Sequence, residues 1–319
     1  MSASDQLLLG FDIGGTKTAL CVGAPDGQVV ARRQFGTGPP EPTMQQAVQI
    51  ARELIDEANY RWEQLAAAGI SCGGPLNSDE GVVLSPPNLP GWDDVPVVQI
   101  IREATGLPTR LENDANAGAL AEWRFGAGRG YRSLIFLTAG TGMGAGLILD
   151  GRLYRGRQDL AGEVGHIRLA DDGPVGYGKA GSFEGFCSGG GIAELARSVL
   201  AEPHPPSALD RVAPDALTTR DVAQAADESD PLACQIIETS GRMLGQGLAI
   251  LIDCLNPELI IVGSLGLRLG SRWLDPAMAV VRAEALMPAW QGCRVVPAGL
   301  GESIGDLAAL AVALLAVDE

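Results

Sequence analysis

The stretch "QLLLGFDIGGTKTALCVGAPDGQVVARRQF" (residues 6–35) decides the fold class. Its apolar segments predict three consecutive strands, separated by "GGTK" and by "PDG", where proline presets φ and glycine accepts a positive φ. In the first break, Gly14 and Gly15 allow backbone N–H groups to approach a phosphate closely. Thr16 adds a hydroxyl, and Lys17 is one of only two lysines in the chain. A glycine pair of this kind is also typical of a plain hairpin turn, and this alternative stays open.

A second strand–glycine turn–strand pattern lies in "SLIFLTAGTGMGAGLILDGRLY" (133–154), with Gly140, Thr141 and Gly142 at its turn. Together with Ala145, the glycines fit the spacing of a dinucleotide-binding fingerprint, but that motif must open a helix. Here the apolar strand "LILDG" follows, which argues against a dehydrogenase. Two such turns at matching points predict a duplicated α/β fold with two lobes and a cleft, where both turns hold one polyphosphate.

The remaining segments fill in this α/β pattern. Apolar runs bounded by turn residues predict strands at "AAGISCGGPL", "LPTRLEND" and "ELIIVGSLG" (258–266). The polar, proline-rich segment 202–217 is expected to be a surface excursion. Helical spacing and stop signals predict helices over 44–58, 97–106, 184–200 and 230–254 and at the C-terminus.

Composition limits the classes of function. The chain has 319 residues with 46% hydrophobic and 19% charged, enough for about two domains with real cores. A net charge of -16 opposes nonspecific binding to nucleic acid or to anionic membranes. Six cysteines without a C-x-x-C pair, and no visible signal-peptide pattern, predict a cytoplasmic protein with reduced thiols. The apolar run 307–317 is too short to span a bilayer.

The segment "LENDANAGALAE" places Asn113 and Asp114 where a strand ends and a helix begins. An Asp at this position is commonly a helix N-cap. The alternative is a general base that takes a proton from a hydroxyl attacking phosphorus, because the carboxyl end of a strand faces the ligand crevice in α/β folds.

Taken together, these pieces resemble the ROK family (repressors, open reading frames and kinases), which has the actin-like, ribonuclease H-like ATPase fold of hexokinases. The matching motifs occur in family order across nearly the whole chain: "DIGGTK" (12–17), "PNLPGW" (87–92), "ENDANAGALAEWRFGAG" (112–128), "TAGTGMGAGLILDGRLYRG" (138–156), "GEVGH" (162–166) and "LNPELIIVGSLG" (255–266). The resemblance implies a kinase, most simply a glucokinase, that uses ATP and Mg²⁺ to phosphorylate a hexose. It also suggests a homodimer.

The resemblance implies roles for individual residues. Asp114 becomes the catalytic base, and Asp12 is a candidate to hold Mg²⁺ through water. Residues expected to contact the sugar are Gly73, Gly74, Asn88, Asn113, Glu163, His166 and Glu184. Residues expected near ATP are Gly14, Gly15, Thr16, Lys17, Gly140, Thr141 and Gly142 at the phosphates, and Gly263 and Gly266 beside the adenosine. The expected lobes are residues 1–121, completed by the helix 303–319, and residues 122–302.

The chain departs from the family pattern in a loop that usually carries a structural zinc. The family binds this zinc with the histidine of "E-x-G-H" and three cysteines, whose positions correspond here to Val175, Tyr177 and Ser182. One histidine without thiolates cannot form a tetrahedral zinc site, so we expect no structural zinc. We expect packing of Val175 and Tyr177 to hold the loop instead. A second departure is Gly73, where the family often has proline, and a glycine there loosens the turn near the sugar.

Two other classes of function fit this sequence less well. ROK repressors carry a helix-turn-helix before the kinase-like part, and the first strand here is expected by about residue 6 in an acidic chain, which argues against a repressor. A sugar-binding protein without catalysis is the second, and the intact Asp12, Asp114 and glycine turns argue against it. Among kinases, N-acetylmannosamine, N-acetylglucosamine, fructose and allose remain alternative sugars.

Overall fold

The computed structural model describes residues 6–317 of the chain. The strands are β1 (Leu7–Ile13), β2 (Lys17–Gly23), β3 (Val29–Gly36), β4 (Leu65–Cys72), β5 (Leu76–Asn77), β6 (Val82–Val83), β7 (Thr109–Asn113), β8 (Leu134–Leu137), β9 (Ala145–Leu149), β10 (Arg152–Leu153), β11 (Val175–Gly176), β12 (Lys179–Ala180), β13 (Leu259–Val262) and β14 (Arg294–Pro297). The α-helices are α1 (Pro40–Glu57), α2 (Val97–Thr105), α3 (Asp114–Phe125), α4 (Phe183–Cys187), α5 (Gly189–Leu200), α6 (Thr219–Asp227), α7 (Pro231–Leu255), α8 (Ser264–Leu269), α9 (Ser271–Glu284), α10 (Met287–Gly292) and α11 (Ile304–Leu315).

The chain forms two compact units. Within the described residues, the first, unit 1, contains 6–130, 153–161 and 300–317, and the second, unit 2, contains 131–152 and 162–299. This division differs from the expected one, because residue 121 lies inside α3, and the short segment 153–161 belongs to unit 1. The expected helix 303–319 is α11, and the last two residues of that range lie outside the described part of the chain.

Each unit contains a five-stranded mixed sheet, and the two sheets share one topology. The strand order is β3-β2-β1-β4-β7 in one and β10-β9-β8-β13-β14 in the other. In both sheets an antiparallel hairpin (β1 with β2, β8 with β9) is continued by parallel strands on its other side. The predicted duplicated α/β fold is therefore confirmed.

In unit 1, the alanine-rich helix α11 packs directly on the backbone of the sheet. A Cβ atom added at Gly69 on β4 would lie 2.2 Å from both Ala309 O and Ala313 N, and one added at Gly10 would lie 2.9 Å from Ala309 Cβ. Helix α3 packs against α11 with the same kind of small residues. These glycines and alanines let both helices approach closely, which places the start of α3 and of α11 beside the ends of the central strands.

In unit 2, the long helix α7 is the central support. It packs on α9, where added Cβ atoms at Gly241 and Gly245 would lie 2.6 Å from Trp273 O and 2.4 Å from Ala277 O. The Trp273 indole donates to Ser240 Oγ at 2.9 Å, which in turn donates to Phe186 O at 2.8 Å. The end of α4 is therefore anchored to the core of unit 2.

Two predicted helices differ from the structure. Helix α1 begins at Pro40, four residues before the apolar spacing starts, because proline suits the first helical position. The single helix predicted over 184–200 is two helices, α4 and α5, with Ser188 between them. Ser188 is extended and its hydroxyl accepts from Gly191 N at 3.0 Å, so it caps α5, and the three glycines that follow do not favour continuing a helix from α4. Among residues 6–317, no helix is long and apolar enough to cross a membrane.

Candidate functional site

The predicted site residues of unit 1 gather at one edge of its sheet. In the parallel strands β1, β4 and β7, Ile13 lies opposite Cys72, and Cys72 lies opposite Asn113. Asp12, the Gly73–Gly74 turn and the Asn113–Asp114 pair therefore leave the sheet side by side, at the carboxyl ends of adjacent strands. Ligands bind at such edges in α/β folds.

The N-cap of α3 is Asn113 and not Asp114. Asn113 Oδ1 accepts from Asn116 N at 2.7 Å, which satisfies the open helix end. The Asp114 carboxylate keeps an exposed surface, although its Oδ1 accepts from Ala115 N at 2.9 Å. The protein atoms around Asp114 shield its carboxylate from water, and this desolvation raises its pKa above the ordinary value. The hydrogen bond from Ala115 N has the opposite effect. Because the cap is provided by its neighbour, Asp114 is left available for chemistry.

Asp12 lies in a group of charges that includes one residue the sequence analysis missed, Asp306. Burial raises the pKa of Asp12 to about 6, and the nearby Asp306 and Asp114 add to this, while Lys17 and Arg32 oppose it. Asp306 lies in the first turn of α11 and accepts from Arg32 Nε at 2.6 Å. Proteins bind Mg²⁺ through as few as one or two carboxylates, together with water and substrate phosphates, so Asp12 alone suffices for a contact through water. The residues therefore fit a magnesium ion beside Asp12.

The glycine turn between β1 and β2 lies against the backbone of residue 88. The turn is closed by a bond from Gly14 N to Lys17 O at 3.0 Å, and Thr37 Oγ1 donates to Gly14 O at 2.7 Å. A Cβ atom added at Gly15 would lie 2.4 Å from Asn88 O. A Cβ at Gly73 would lie 3.3 Å from the Asn88 amide group. Two predicted sites, the phosphate turn and Asn88, are thus neighbours, and the glycine at 15 is required by this contact itself.

Behind Asn113 and Asp114 lies a buried polar layer that the sequence analysis did not predict. Glu112 on β7 is 1% exposed and forms an ion pair with Arg155 from the segment 153–161. Asn116 Nδ2 donates to Glu112 Oε2 at 3.2 Å, although Asn116 Oδ1 is buried and has no partner among the described residues. Nearby, the segment 153–161 is also fastened by Asp159, whose carboxylate accepts from Ser78 N and Ser78 Oγ at 2.8 Å each.

In unit 2, the second glycine turn is held tightly from several sides. Gly140 N donates to Gly142 O at 3.0 Å, and Gly189 N, at the start of α5, donates to Gly140 O at 2.7 Å. Ala139 has a φ of 37°, in the left-handed region that favours glycine, and its carbonyl oxygen accepts from Leu265 N and Ser264 Oγ at 3.1 Å each. A residue other than glycine keeps this conformation only when its surroundings enforce it, and such strain is common at functional sites.

Glu184 connects this turn to the "GEVGH" segment. Its Oε2 accepts from Met143 N at 2.9 Å and would lie 3.0 Å from a Cβ added at Gly142. A Cβ added at Gly165 would lie 3.2 Å from Glu184 Cβ and 2.3 Å from Met143 O. The turn, the short 3₁₀ helix of residues 164–166 and the start of α4 therefore meet, with the side chains of Glu163 and His166 exposed beside them.

Gly263 and Gly266, predicted beside the adenosine, are both buried. A Cβ at Gly263 would lie 2.1 Å from Thr138 O, and one at Gly266 would lie 2.9 Å from Val262 side-chain atoms. Close packing accounts for both glycines, at Gly263 against the end of β8 and at Gly266 against β13. The exposed residue between them is Ser264.

The loop where the family has zinc does not offer the ligands for it. Val175, Tyr177 and Ser182 supply no thiolate, and within residues 6–317 no three His, Cys, Asp or Glu side chains are grouped to hold a metal. The expected packing of Val175 and Tyr177 is wrong, because their side chains are 56% and 70% exposed at the tip of the β11–β12 hairpin. Tyr177 makes one aromatic contact, an edge-on arrangement with His166 whose ring centroids are 5.5 Å apart.

The missed residues share a weak signal in the sequence. Asp306 and Glu122 are single acids beside apolar or small residues, and Glu112 directly follows the apolar Leu111 within a predicted strand. Glu122 is fully buried and accepts from Ala127 N at 2.8 Å and from Leu300 N at 3.0 Å. An isolated acid on the apolar face of an element is seldom buried without a partner, so each of them could have been flagged, although its partner could not.

Comparisons with known proteins give matches to one family over nearly the whole chain. The sequence model of the ROK family matches residues 8–315. A glucokinase of Halalkalibacterium halodurans is 32% identical over 309 residues, which are 95% of this chain and 93% of that protein. A ROK hexokinase from Thermus thermophilus superposes with a TM-score of 0.83 and 30% identity, covering 98% of this chain and 99% of that one. A ROK family glucokinase from Streptomyces griseus in complex with glucose and AMPPNP has a TM-score of 0.76 and 31% identity, covering 97% and 99%.

Proposed function

The chain belongs to the ROK family and is a sugar kinase, and we propose that it transfers the γ-phosphoryl group of ATP to a hexose hydroxyl, most simply the 6-hydroxyl of glucose. The observation that carries this proposal is that two adjacent residues have different roles at the start of α3. Asn113 caps the helix, and the adjacent Asp114 keeps an exposed carboxylate at the carboxyl end of β7.

In the proposed reaction, Asp114 accepts the proton of the attacking hydroxyl. The hydroxyl oxygen bonds to the γ-phosphorus while the bond from phosphorus to the β–γ bridging oxygen breaks, and ADP leaves with the electron pair. A carboxylate whose pKa lies above its ordinary value takes up the transferred proton more readily than an ordinary one.

Sugar hydroxyls are donors, and the proposed sugar residues are mostly acceptors. We assign Glu163, His166 and Glu184 in unit 2 to this role, and Gly73, Gly74, Asn88 and Asn113 in unit 1. Charged acceptors discriminate strongly between patterns of hydroxyl groups, because a missing hydroxyl leaves an acceptor unpaired. In the apo protein, Glu184 already shares one oxygen with Met143 N, which fixes the direction of its carboxylate.

We assign the nucleotide to the two glycine turns. The backbone and side chains of residues 14–17, and those of residues 140–142, are proposed to bind the phosphates. Mg²⁺ would be held through water beside Asp12, where it would neutralise phosphate charge. The β13–α8 turn, whose close packing requires Gly263 and Gly266, is proposed to lie near the adenosine.

A coupled ADP-release assay tests the proposal. The panel contains glucose, fructose, allose, mannose, N-acetylglucosamine and N-acetylmannosamine, each with ATP and Mg²⁺. We expect glucose to give the highest kcat/KM. ADP release with none of these sugars, while glucose still binds in calorimetry, would favour a sugar-binding protein without catalysis.

We also propose a cytoplasmic homodimer that does not bind nucleic acid or membranes. The free state of all six cysteines supports a reducing compartment. The net charge of -16 supports the absence of binding to nucleic acid or membranes. The dimer is suggested by family resemblance, and sedimentation of the purified protein tests it: a single species at the monomer mass would contradict it.

A further inference from the structure

The loop that lacks zinc ligands, residues 167–184, is closed at its base by backbone hydrogen bonds. Leu169 N and Ala170 N donate to Gly181 O at 2.8 and 3.1 Å, and Phe183 N donates to Ile167 O at 2.8 Å. The two arms approach so closely that a Cβ atom at Gly181 would lie 2.1 Å from Ala170 O. The base of the loop is therefore defined without any side-chain ligand.

A guanidinium group joins the two arms further along the loop. Arg168 Nη1 donates to Ala180 O at 2.7 Å and, less favourably, to Asp171 O at 3.4 Å. One cation thus connects the outgoing arm to the returning arm and also reaches the bend at Asp171. Hydrogen bonds from a charged donor are about twice as strong as neutral ones.

An ammonium group makes the second connection. Lys179, on β12, donates from Nζ to His166 O at 2.6 Å, which joins the hairpin to the "GEVGH" segment 13 residues earlier. The Tyr177 ring contacts the imidazole of the same histidine edge-on. His166 is therefore held at its backbone by Lys179 and at its ring by Tyr177.

A lysine at position 179 is unusual because the chain has very few lysines. Only two of the chain's 23 basic residues are lysines, Lys17 in the first glycine turn and Lys179 here. A lysine ammonium on a flexible stem can direct one compact charge at a single carbonyl oxygen, whereas an arginine presents a wider planar fork.

We propose that Arg168 and Lys179 do in this chain what a metal does elsewhere in the family: they fasten the loop 167–184, and Lys179 thereby positions His166 for the sugar. The fastening stands on the hydrogen bonds alone, and only the positioning of His166 rests on the proposed function. Both residues are positioning residues and do not touch the reacting atoms.

Three variants test the fastening: Lys179→Met, Arg168→Met and, as the matched control, Arg157→Met. Arg157 is an exposed loop arginine, and no side-chain partner is recorded for it within residues 6–317. Loss of either connection should lower Tm by about 3 °C, the size expected for one charge-assisted hydrogen bond in a chain of this length. The control should leave Tm unchanged. A Tm for both loop variants equal to that of the control would overturn the fastening.

Metal dependence gives a second, independent readout. The purified wild-type protein should contain no stoichiometric zinc by elemental analysis, and neither a chelator nor added zinc should move its Tm. About one zinc per chain, or a chelator-induced fall in Tm, would mean that a metal holds the loop after all.

Steady-state kinetics test the positioning of His166. Lys179→Met should raise KM for the sugar about fivefold with kcat nearly unchanged, because the contact orients a binding group. Lys179→Arg, which keeps the charge, should recover part of that affinity. An unchanged KM in an active Lys179→Met enzyme overturns the positioning role. If no sugar is phosphorylated even by the wild type, the proposed function and the positioning role fail together, while the Tm results still decide the fastening.

Discussion

At the residue scale, the start of α3 shows how two adjacent polar residues divide their roles. The sequence places Asn113 and Asp114 equally well as a cap, and only the hydrogen bond from Asn116 N to Asn113 Oδ1 decides between them. Asn113 Nδ2 remains a donor in this arrangement, so capping by Asn113 does not prevent it from contacting a sugar oxygen.

Asp12 leads to a prediction about stability and pH. Its folded pKa of about 6 lies above the ordinary 3.8, so between these values the folded state binds more protons than the unfolded state. The free energy of unfolding therefore falls as pH rises from about 4 to about 6. Asp12→Asn removes this effect, and we expect it to stabilise the metal-free protein by about 3 kcal/mol at pH 7 and by much less at pH 4.

Urea denaturation of the metal-free protein at pH 4 and pH 7 measures this difference. The control is Asp79→Asn, which changes an exposed carboxylate. Equal stabilisation by Asp12→Asn at both pH values would show that Asp12 carries no such charge penalty. The same variant should lose kinase activity if Asp12 serves the magnesium ion.

At the element scale, the segment 153–161 fastens itself to β7 and α3 through the Glu112–Arg155 ion pair. Arg155→Met would leave the buried Glu112 carboxylate unpaired, and we expect the free energy of unfolding to fall by about 3 kcal/mol. The double variant Glu112→Gln/Arg155→Met should lose less than the single one, because no buried charge remains. Urea denaturation of Arg155→Met, Glu112→Gln and the double variant checks this, and simple additivity would argue against coupling between the two residues.

The close packing of α11 on the sheet gives a second prediction at this scale. Gly69→Ala places a methyl group 2.2 Å from backbone atoms of α11, which cannot move aside as a flexible side chain would. We expect a loss of about 3 kcal/mol in the free energy of unfolding. Gly36→Ala is the matched control, since an added Cβ there meets nothing within 4 Å. Equal Tm values for the two variants would contradict the described helix–sheet contact.

The elements that the sequence predicted well are those defined by local pattern. Strands β1 to β4 and β7 to β9, the end of α2 at Gly106 and the helix α7 follow from alternation, spacing and turn residues. The break at Ser188 was missed because the apolar spacing continues across it, and only the capping bond to Gly191 N and the neighbouring glycines interrupt the helix. The partners of Glu112 and Asp306 come from segments 43 and 274 residues away, and no local pattern encodes such contacts.

The loop 167–184 shows the same limit at a candidate site. Comparison of motifs correctly identified the missing thiolates, but it assigned the fastening to Val175 and Tyr177, which are exposed. The connections come instead from Arg168 and Lys179, whose donors reach backbone carbonyl oxygens. Any residue type can offer a backbone carbonyl, so these acceptors leave no trace in the sequence.

At the scale of the whole molecule, the two sheets of identical strand order identify the duplicated fold, and each sheet carries a glycine turn between the two strands of its antiparallel hairpin. The predicted site residues form two groups, one within each unit. In unit 1 the group contains the carboxylates Asp12 and Asp114. In unit 2 it contains Glu184 and the segment from Glu163 to His166. This distribution agrees with a family in which sugar and ATP are both bound.

The central claim is that Asp114 is the base of a sugar kinase, and one measurement tests it most directly. Single-turnover phosphorylation of glucose by Asp114→Asn should be slower than that of the wild type by a factor of about 100 or more, the size expected for loss of a general base. Glucose affinity measured by calorimetry and Tm should change little, because Asn113 and not Asp114 caps α3. A single-turnover rate in Asp114→Asn close to that of the wild type would contradict the account.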